Sequence, residues 1–151
     1  MSSGTDLPDY LAAFRERRAL CAALLELSLA QSDCIRRDDY TELLALLHQK
    51  QTLLDDVARA AREQELAWSS WSDRRDRLRA AERTECEQQL AQIEDLLARL
   101  LREEQAGTHL LNQRHDATQR ELASVNRGMR VREAYEGSPL NGGTRHFSID
   151  T

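Results

Sequence analysis

Four histidines and several pairs of adjacent carboxylates are the side chains that general acid–base or metal chemistry would use in this sequence. The histidines are His48, His109, His115 and His146. None of them has a cysteine or carboxylate at the spacing of a metal site, and no HExxH, phosphate-loop or GxSxG motif occurs. The carboxylate pairs, Asp55 with Asp56 and Glu103 with Glu104, lack the paired Glu-x-x-His pattern of a four-helix carboxylate site. We therefore expect no catalytic residue, no metal and no cofactor.

Apolar side chains in the last third of the chain form the best candidate for a partner-binding surface. They are Leu111, Leu122, Val125 and Met129, extended to Tyr135. If neighbouring helices cover this stripe, it is ordinary core. If its helix extends past its neighbours, the stripe is exposed and suits the capture of an amphipathic helix from a partner, with Met129 adding adaptable packing.

Lys50 and two tryptophans each have a structural and a functional interpretation. Lys50 stands where a heptad repeat calls for an apolar residue. Either its stem packs while its ammonium reaches an acid or water, or it fixes the register of leucine-rich helices. Trp68 and Trp71 either close the end of a helical bundle or form an exposed anchor for a partner.

The composition predicts that helices position all of these residues. Ala, Glu, Lys, Leu and Arg make up about half of the 151 residues, which is typical of long helices. Val, Ile and the aromatic residues are few, and both prolines lie near the ends of the chain. Little material remains for a sheet, so we expect an all-α fold.

Capping and turn signals predict three helices, at about 8–36, 40–70 and 74–134. Pro8 suits the first helical position with Asp9 in the first turn, and the Arg36–Asp39 segment suits a short turn followed by an N-cap. The serines around Trp71 favour the second break, although Thr84 with Glu87 offers a later start. Gly107 marks a kink or soft point in the third helix.

A heptad seam runs through the second predicted helix. Its members step by four and three: Leu43, Leu47, Lys50, Leu54, Val57, Ala61, Gln64, Trp68 and Trp71. A second row beside it, Leu46, Leu53, Ala60 and Ala67, widens the stripe into a surface that faces a bundle. We expect an elongated antiparallel three-helix bundle with long coiled-coil-like helices in one domain, residues 1–135.

The remaining features restrict location and partners. A net charge of -5 with interleaved signs disfavours nucleic acid, and no segment is apolar enough for membrane insertion or a signal peptide. Cys21, Cys34 and Cys86 suit free thiols in a reducing compartment, so we expect a cytoplasmic protein. Residues 136–151 collect turn formers and predict a flexible tail; its Phe147 and Ile149 either have no role or add to another protein as a short motif.

The segment Asp38–Leu54, DDYTELLALLHQKQTLL, resembles the start of the second helix in FlgN-type flagellar export chaperones. Asn126-Arg127, the terminal Tyr135 and the glycine-rich tail also resemble the end of that family. The resemblance implies a cytoplasmic, non-enzymatic chaperone of type III flagellar export. Such a chaperone holds hook–filament junction proteins by their C-terminal helices and delivers them to the export gate.

The resemblance also implies roles for particular residues. Client binding by the C-terminal helix maps onto Leu122, Val125 and Met129, and Tyr135 is a positional candidate for contact with the gate. The stretch after Asn126-Arg127 is shorter and more charged than the family pattern, which leaves the client or the length of the binding helix in question. The alternative is a scaffolding coiled-coil protein, a homodimer that uses the same stripe to bind its own copy.

Overall fold

The computed structural model describes residues 7–136, which form an all-α structure as the composition predicts. Four helices occur in that range: α1 (Tyr10–Arg36), α2 (Tyr40–Glu63), α3 (Glu65–Arg74) and α4 (Ala80–Glu136), with a single 3-10 turn at Arg75–Arg77. No strand occurs in residues 7–136. Contacts divide the chain into two compact units, Met1–Leu111 and Asn112–Thr151. The predicted tail lies outside the described residues, apart from Glu136.

The first two helices begin at aspartate N-caps. Asp9 accepts a hydrogen bond from the backbone N–H of Ala12, so Asp9 is the N-cap and α1 begins two residues later than Pro8 predicts. Asp39 accepts from the N–H of Glu42 and caps α2, as predicted. Between the helices, Asp38 adopts a left-handed conformation with φ of 57°. This short turn makes α1 and α2 neighbours.

The predicted second helix is divided and ends later than the serines suggested. The break falls at Gln64 (φ -108°, ψ 18°), and α3 then continues to Arg74. The hydroxyls of Ser69 and Ser70 donate back to the carbonyl of Leu66, which lets both serines remain inside a helix. The predicted boundary at residues 70–74 is therefore wrong.

The third predicted helix begins later than residue 74 and continues through its glycine. Leu78 is extended (ψ 158°), and α4 starts at Ala80 and passes through Gly107 without interruption. A Cβ on Gly107 would lie 3.4 Å from Ser32 Oγ, which is van der Waals contact, so α4 packs directly against α1 at this position. Thr84 lies within α4 and does not start it.

The buried face of α2 and α3 follows the row that the sequence placed beside the seam. Leu43, Leu46, Ala60 and Ala67 are buried, whereas Leu47 and Leu54 of the predicted seam are exposed. The seam prediction is therefore wrong for the row Leu47, Leu54 and Ala61, which is exposed. The other row of the seam is buried or partly buried as predicted, and it faces the core together with the row Leu46, Leu53, Ala60 and Ala67.

Two apolar clusters form the core of the first unit. The first contains Tyr10, Ala13, Phe14, Cys21, Ala67, Cys86 and Ile93; the second contains Cys34, Ile35, Leu43 and Leu46, with Leu110 packed against it. Trp68 and Trp71 lie partly buried against the first cluster, at centroid distances of 4.6 and 5.1 Å from Phe14. Both tryptophans therefore pack against the core and do not form an exposed anchor. The three cysteines are free and buried, as small apolar residues would be.

A polar layer lies between the two clusters along α1, α2 and α4. Lys50 Nζ donates to both carboxylate oxygens of Glu104, at 2.6 and 2.7 Å, and to Gln31 Oε1 at 3.3 Å. The buried Ser28 hydroxyl also donates to Glu104 at 2.6 Å. The Lys50 side chain is 15% exposed, so its stem packs and its ammonium reaches an acid, as one interpretation predicts.

Candidate partner-binding face

The predicted partner-binding residues all lie on α4, and all of them are exposed. Leu111, Leu122, Val125 and Met129 expose between 45% and 58% of their surface, and Tyr135 exposes 82%. No residue from 112 to 135 is buried. Of the two structural alternatives for the stripe, the exposed face is therefore the one observed.

Helical geometry places four of the five residues on one side of α4. At about 100° per residue, Leu111, Leu122, Val125 and Met129 fall within roughly 60° of one another around the helix axis. We call these four residues the C-terminal stripe. Thr118 falls on the same line and is exposed, so the stripe has a polar gap between Leu111 and Leu122.

Tyr135 lies on a different side of the helix. Six residues separate it from Met129, which corresponds to about 120° around the axis. Val131, one turn before Tyr135, is 56% exposed and shares its side. The sequence interpretation did not single out Val131, although its i, i+4 spacing from Tyr135 was available as a signal.

The C-terminal stripe can bury apolar surface of a partner, and its neighbours offer little other chemistry. The positions one turn away from Leu122 and Val125 carry Thr118, Gln119, Glu121, Asn126 and Gly128. None of these is a nucleophile paired with a base. An apolar row with polar borders on an exposed helix is the surface that binds a second amphipathic helix in a groove or side by side.

Among the described residues, the other chemically capable side chains are not brought together into a site. In residues 7–136 no group of three or more His, Cys, Asp or Glu side chains has the arrangement of a metal site. Glu103 and Glu104 do not act as a carboxylate pair, because Ser32 donates to Glu103 at 2.8 Å while Lys50 and Ser28 donate to Glu104. Burial raises the pKa of the Cys86 thiol to about 11, and the charges of Glu82, Asp9 and Glu85 add to this. Such a thiol is a poor nucleophile at neutral pH.

No helix among the described residues combines the length and the apolar character that crossing a membrane requires. The helix that carries the C-terminal stripe has 57 residues, but charged and polar side chains recur along it. Polar side chains therefore interrupt the exposed apolar side chains of α4, which do not form a continuous apolar surface.

Comparison with known proteins identifies one family. The family model described as FlgN protein matches residues 6–138, which is most of the chain and includes the whole C-terminal stripe. No curated protein and no solved structure matches the chain. The family match confirms the resemblance that the Asp38–Leu54 segment suggests. The chain belongs to the FlgN family of flagellar export chaperones.

Proposed function

We propose that this chain holds hook–filament junction proteins through the C-terminal stripe of α4 before they are secreted. The exposure of Leu111, Leu122, Val125 and Met129 carries the proposal, because no part of residues 7–136 buries them. An uncovered apolar row on a long helix favours association, so a partner is needed to cover it. The FlgN family, whose members are flagellar export chaperones, supplies the class of partner.

The expected strength of client binding follows from the area available. Fully burying a side chain of this type is worth about 1.5–3 kcal/mol, so covering the exposed halves of four of them contributes roughly 3–6 kcal/mol. Association costs of similar size oppose this gain. The client must therefore contribute further contacts along α4, and we expect reversible binding, as a chaperone that releases its client requires.

The proposal extends to the arrangement of α1, α2 and α4. Gln64, directly after α2, donates to Glu16 of α1, and Lys50 of α2 donates to Gln31 of α1. Glu85 and Glu104 of α4 accept hydrogen bonds from Arg15 and Ser28 of α1. These pairs support an antiparallel three-helix bundle in which α2 runs opposite to α1 and α4.

Tyr135 and Val131, on another side of α4, are proposed for contact with the export gate, so that client and gate need not compete for one surface. A cytoplasmic location and a non-enzymatic role complete the proposal. The free thiols and the chaperone family support them.

A pull-down from native cell extract tests the client claim. The variant carries Leu122→Asp and Val125→Asp; the matched control carries Ala123→Asp and Ser124→Asp, which place the same charges in the same turn but away from the stripe. Circular dichroism first establishes that all three proteins are helical. Recovery of a hook–filament junction protein by wild type and control, but not by the stripe variant, supports the proposal. Equal recovery by all three contradicts it.

A further inference from the structure

A second exposed apolar surface lies within residues 1–111, and none of its residues belongs to the C-terminal stripe. Leu47 and Leu54 of α2 and Leu97 and Leu101 of α4 are between 40% and 60% exposed. Isolated exposed leucines are common on protein surfaces, but four of them in one place are not. Whether these four lie together depends on how α2 and α4 meet.

The Lys50–Glu104 ion pair fixes that meeting point. Leu54 follows Lys50 by one turn, and Leu101 precedes Glu104 by slightly less than one turn. Contacts with α1 give the directions of the two helices. Gln64, directly after α2, and Glu85, near the start of α4, bond to adjacent residues of α1, Glu16 and Arg15. Leu54, Leu97 and Leu101 therefore lie on one side of the ion pair along the helices, and Leu47 lies on the other.

The four leucines also lie on the same side around the helix axes. On α2 the buried Leu46 and the partly buried Leu53 are on one side of Lys50, and Leu47 and Leu54 are about 100° further round. On α4 the buried Gly107 is on one side of Glu104, and Leu97 and Leu101 are on the other. The four leucines thus line the outer groove between α2 and α4, which we call the leucine groove.

The charges around the leucine groove are unusual for this chain. Residues 1–111 carry 21 acidic and 15 basic side chains, a net charge of -6, so two copies repel one another over most of their surfaces. The charged helix neighbours of the four leucines, at three or four positions away, are Lys50, Glu104 and Glu94. The first two neutralise each other. The other neighbours are apolar residues or uncharged glutamines, such as Gln51, Ala58, Ala98 and Gln105.

We propose that the leucine groove is the interface of a two-fold homodimer, with a second copy of this chain as its occupant. A two-fold contact brings a surface against itself, so a charged rim would be self-repelling, whereas this rim is not. A two-fold axis across the middle of the groove also places the Glu94 residues of the two copies at opposite ends of the interface. The inference does not depend on client binding, because none of the four leucines belongs to the C-terminal stripe.

Sedimentation velocity over a wide concentration range tests this proposal. The full chain is compared with a variant carrying Leu54→Gln and Leu101→Gln, and with a control carrying Leu122→Gln and Val125→Gln. We expect wild type and control to form dimers with similar dissociation constants. The dissociation constant of the groove variant should be at least about ten-fold higher, because the variant lacks two central apolar anchors. A wild type that remains monomeric, or dimers lost only in the control, would overturn the proposal.

A crosslinking experiment covers the case in which the groove variant does not fold. Gln51→Cys places an exposed thiol beside Leu47 and Leu54, while the native thiols are buried. A bismaleimide should link two copies through this position and should not link copies that carry Ala123→Cys. Crosslinking at position 123 alone, or at neither position, would overturn the proposal even if client pull-down succeeds.

Discussion

Lys50 on α2 donates to both carboxylate oxygens of Glu104 on α4, and the two side chains differ in exposure: 15% for Lys50 and 40% for Glu104. Loss of the ion pair should therefore cost more at the lysine than at the glutamate, because the ammonium of Lys50 has little access to water. Ser28 and Gln31 of α1 complete the layer. Three helices thus meet at one hydrogen-bonded charge pair between two apolar clusters.

Replacing Glu104 by glutamine should destabilise the chain by about 1–2 kcal/mol, because the Lys50 charge is left without its anionic partner in a largely buried position. The partial exposure of residue 104 keeps the cost at the low end of the range for buried pairs. Urea unfolding followed by circular dichroism measures the change. Glu85→Gln, which breaks the exposed pair with Arg15, should cost under about 1 kcal/mol. Equal losses for the two variants would contradict this account.

The stability of the chain should depend on pH through the same carboxylate. Burial alone raises the pKa of Glu104, but the hydrogen bonds from Lys50 and Ser28, together with the Lys50 charge, outweigh burial and hold the pKa below its ordinary value of 4.5. A folded-state pKa below the unfolded one stabilises the protein above the unfolded value, and this contribution disappears as pH falls through the folded pKa. The stability advantage of wild type over Glu104→Gln should therefore shrink below about pH 4.5. Urea titrations at neutral and acidic pH that show a constant difference would refute the assignment.

Gly107 and Gly128 provide a matched test of close helix packing. Leucine at position 107 would meet Ser32 and should destabilise the first unit by about 1–3 kcal/mol, the usual cost of overpacking. A Cβ on Gly128 meets nothing within 4 Å, so leucine there should be tolerated and should raise helicity, because leucine is a better helix former than glycine. Thermal unfolding and helix content from circular dichroism distinguish the two. A neutral Gly107→Leu would mean that α1 and α4 do not need this close approach.

The three thiols should be unreactive in the folded chain. Burial raises the pKa of Cys21 and Cys34, and that of Cys86 reaches about 11, so few thiolates exist at neutral pH. We expect the reaction with Ellman's reagent to be at least about 100-fold slower in buffer than in denaturant, where all three thiols become accessible. Rapid labelling of one cysteine in native conditions would show that its helix opens easily.

The sequence was sufficient for the fold class but not for the choice of the buried row on α2. Positions 46, 53, 60 and 67 carry Leu, Leu, Ala and Ala, while the adjacent row carries Leu, Leu, Ala and Trp. Periodicity cannot separate two rows of nearly equal apolar content. Contacts with α1 and α4 decide between them, and these depend on residues far away in the chain.

Helix boundaries were predictable where a side chain caps the backbone locally and not where tertiary contacts decide. Asp39 has the preference and the position of an N-cap, and it is one. No glycine or proline marks the break at Gln64, whose side chain bonds to Glu16 of α1. At the candidate site, helical spacing was enough to place Leu122, Val125 and Met129 on one face. The same spacing places Tyr135 on another side of α4, so it does not support extending the stripe to Tyr135.

The central claim is that the C-terminal stripe binds a client helix, and titration of the purified chain with a purified hook–filament junction protein tests it most directly. Isothermal titration calorimetry should show that Leu122→Asp with Val125→Asp weakens binding by at least about ten-fold, as the loss of central apolar contacts does. Ala123→Asp with Ser124→Asp should bind as wild type does. Unchanged affinity in the stripe variant, or equal weakening in both, would contradict the claim.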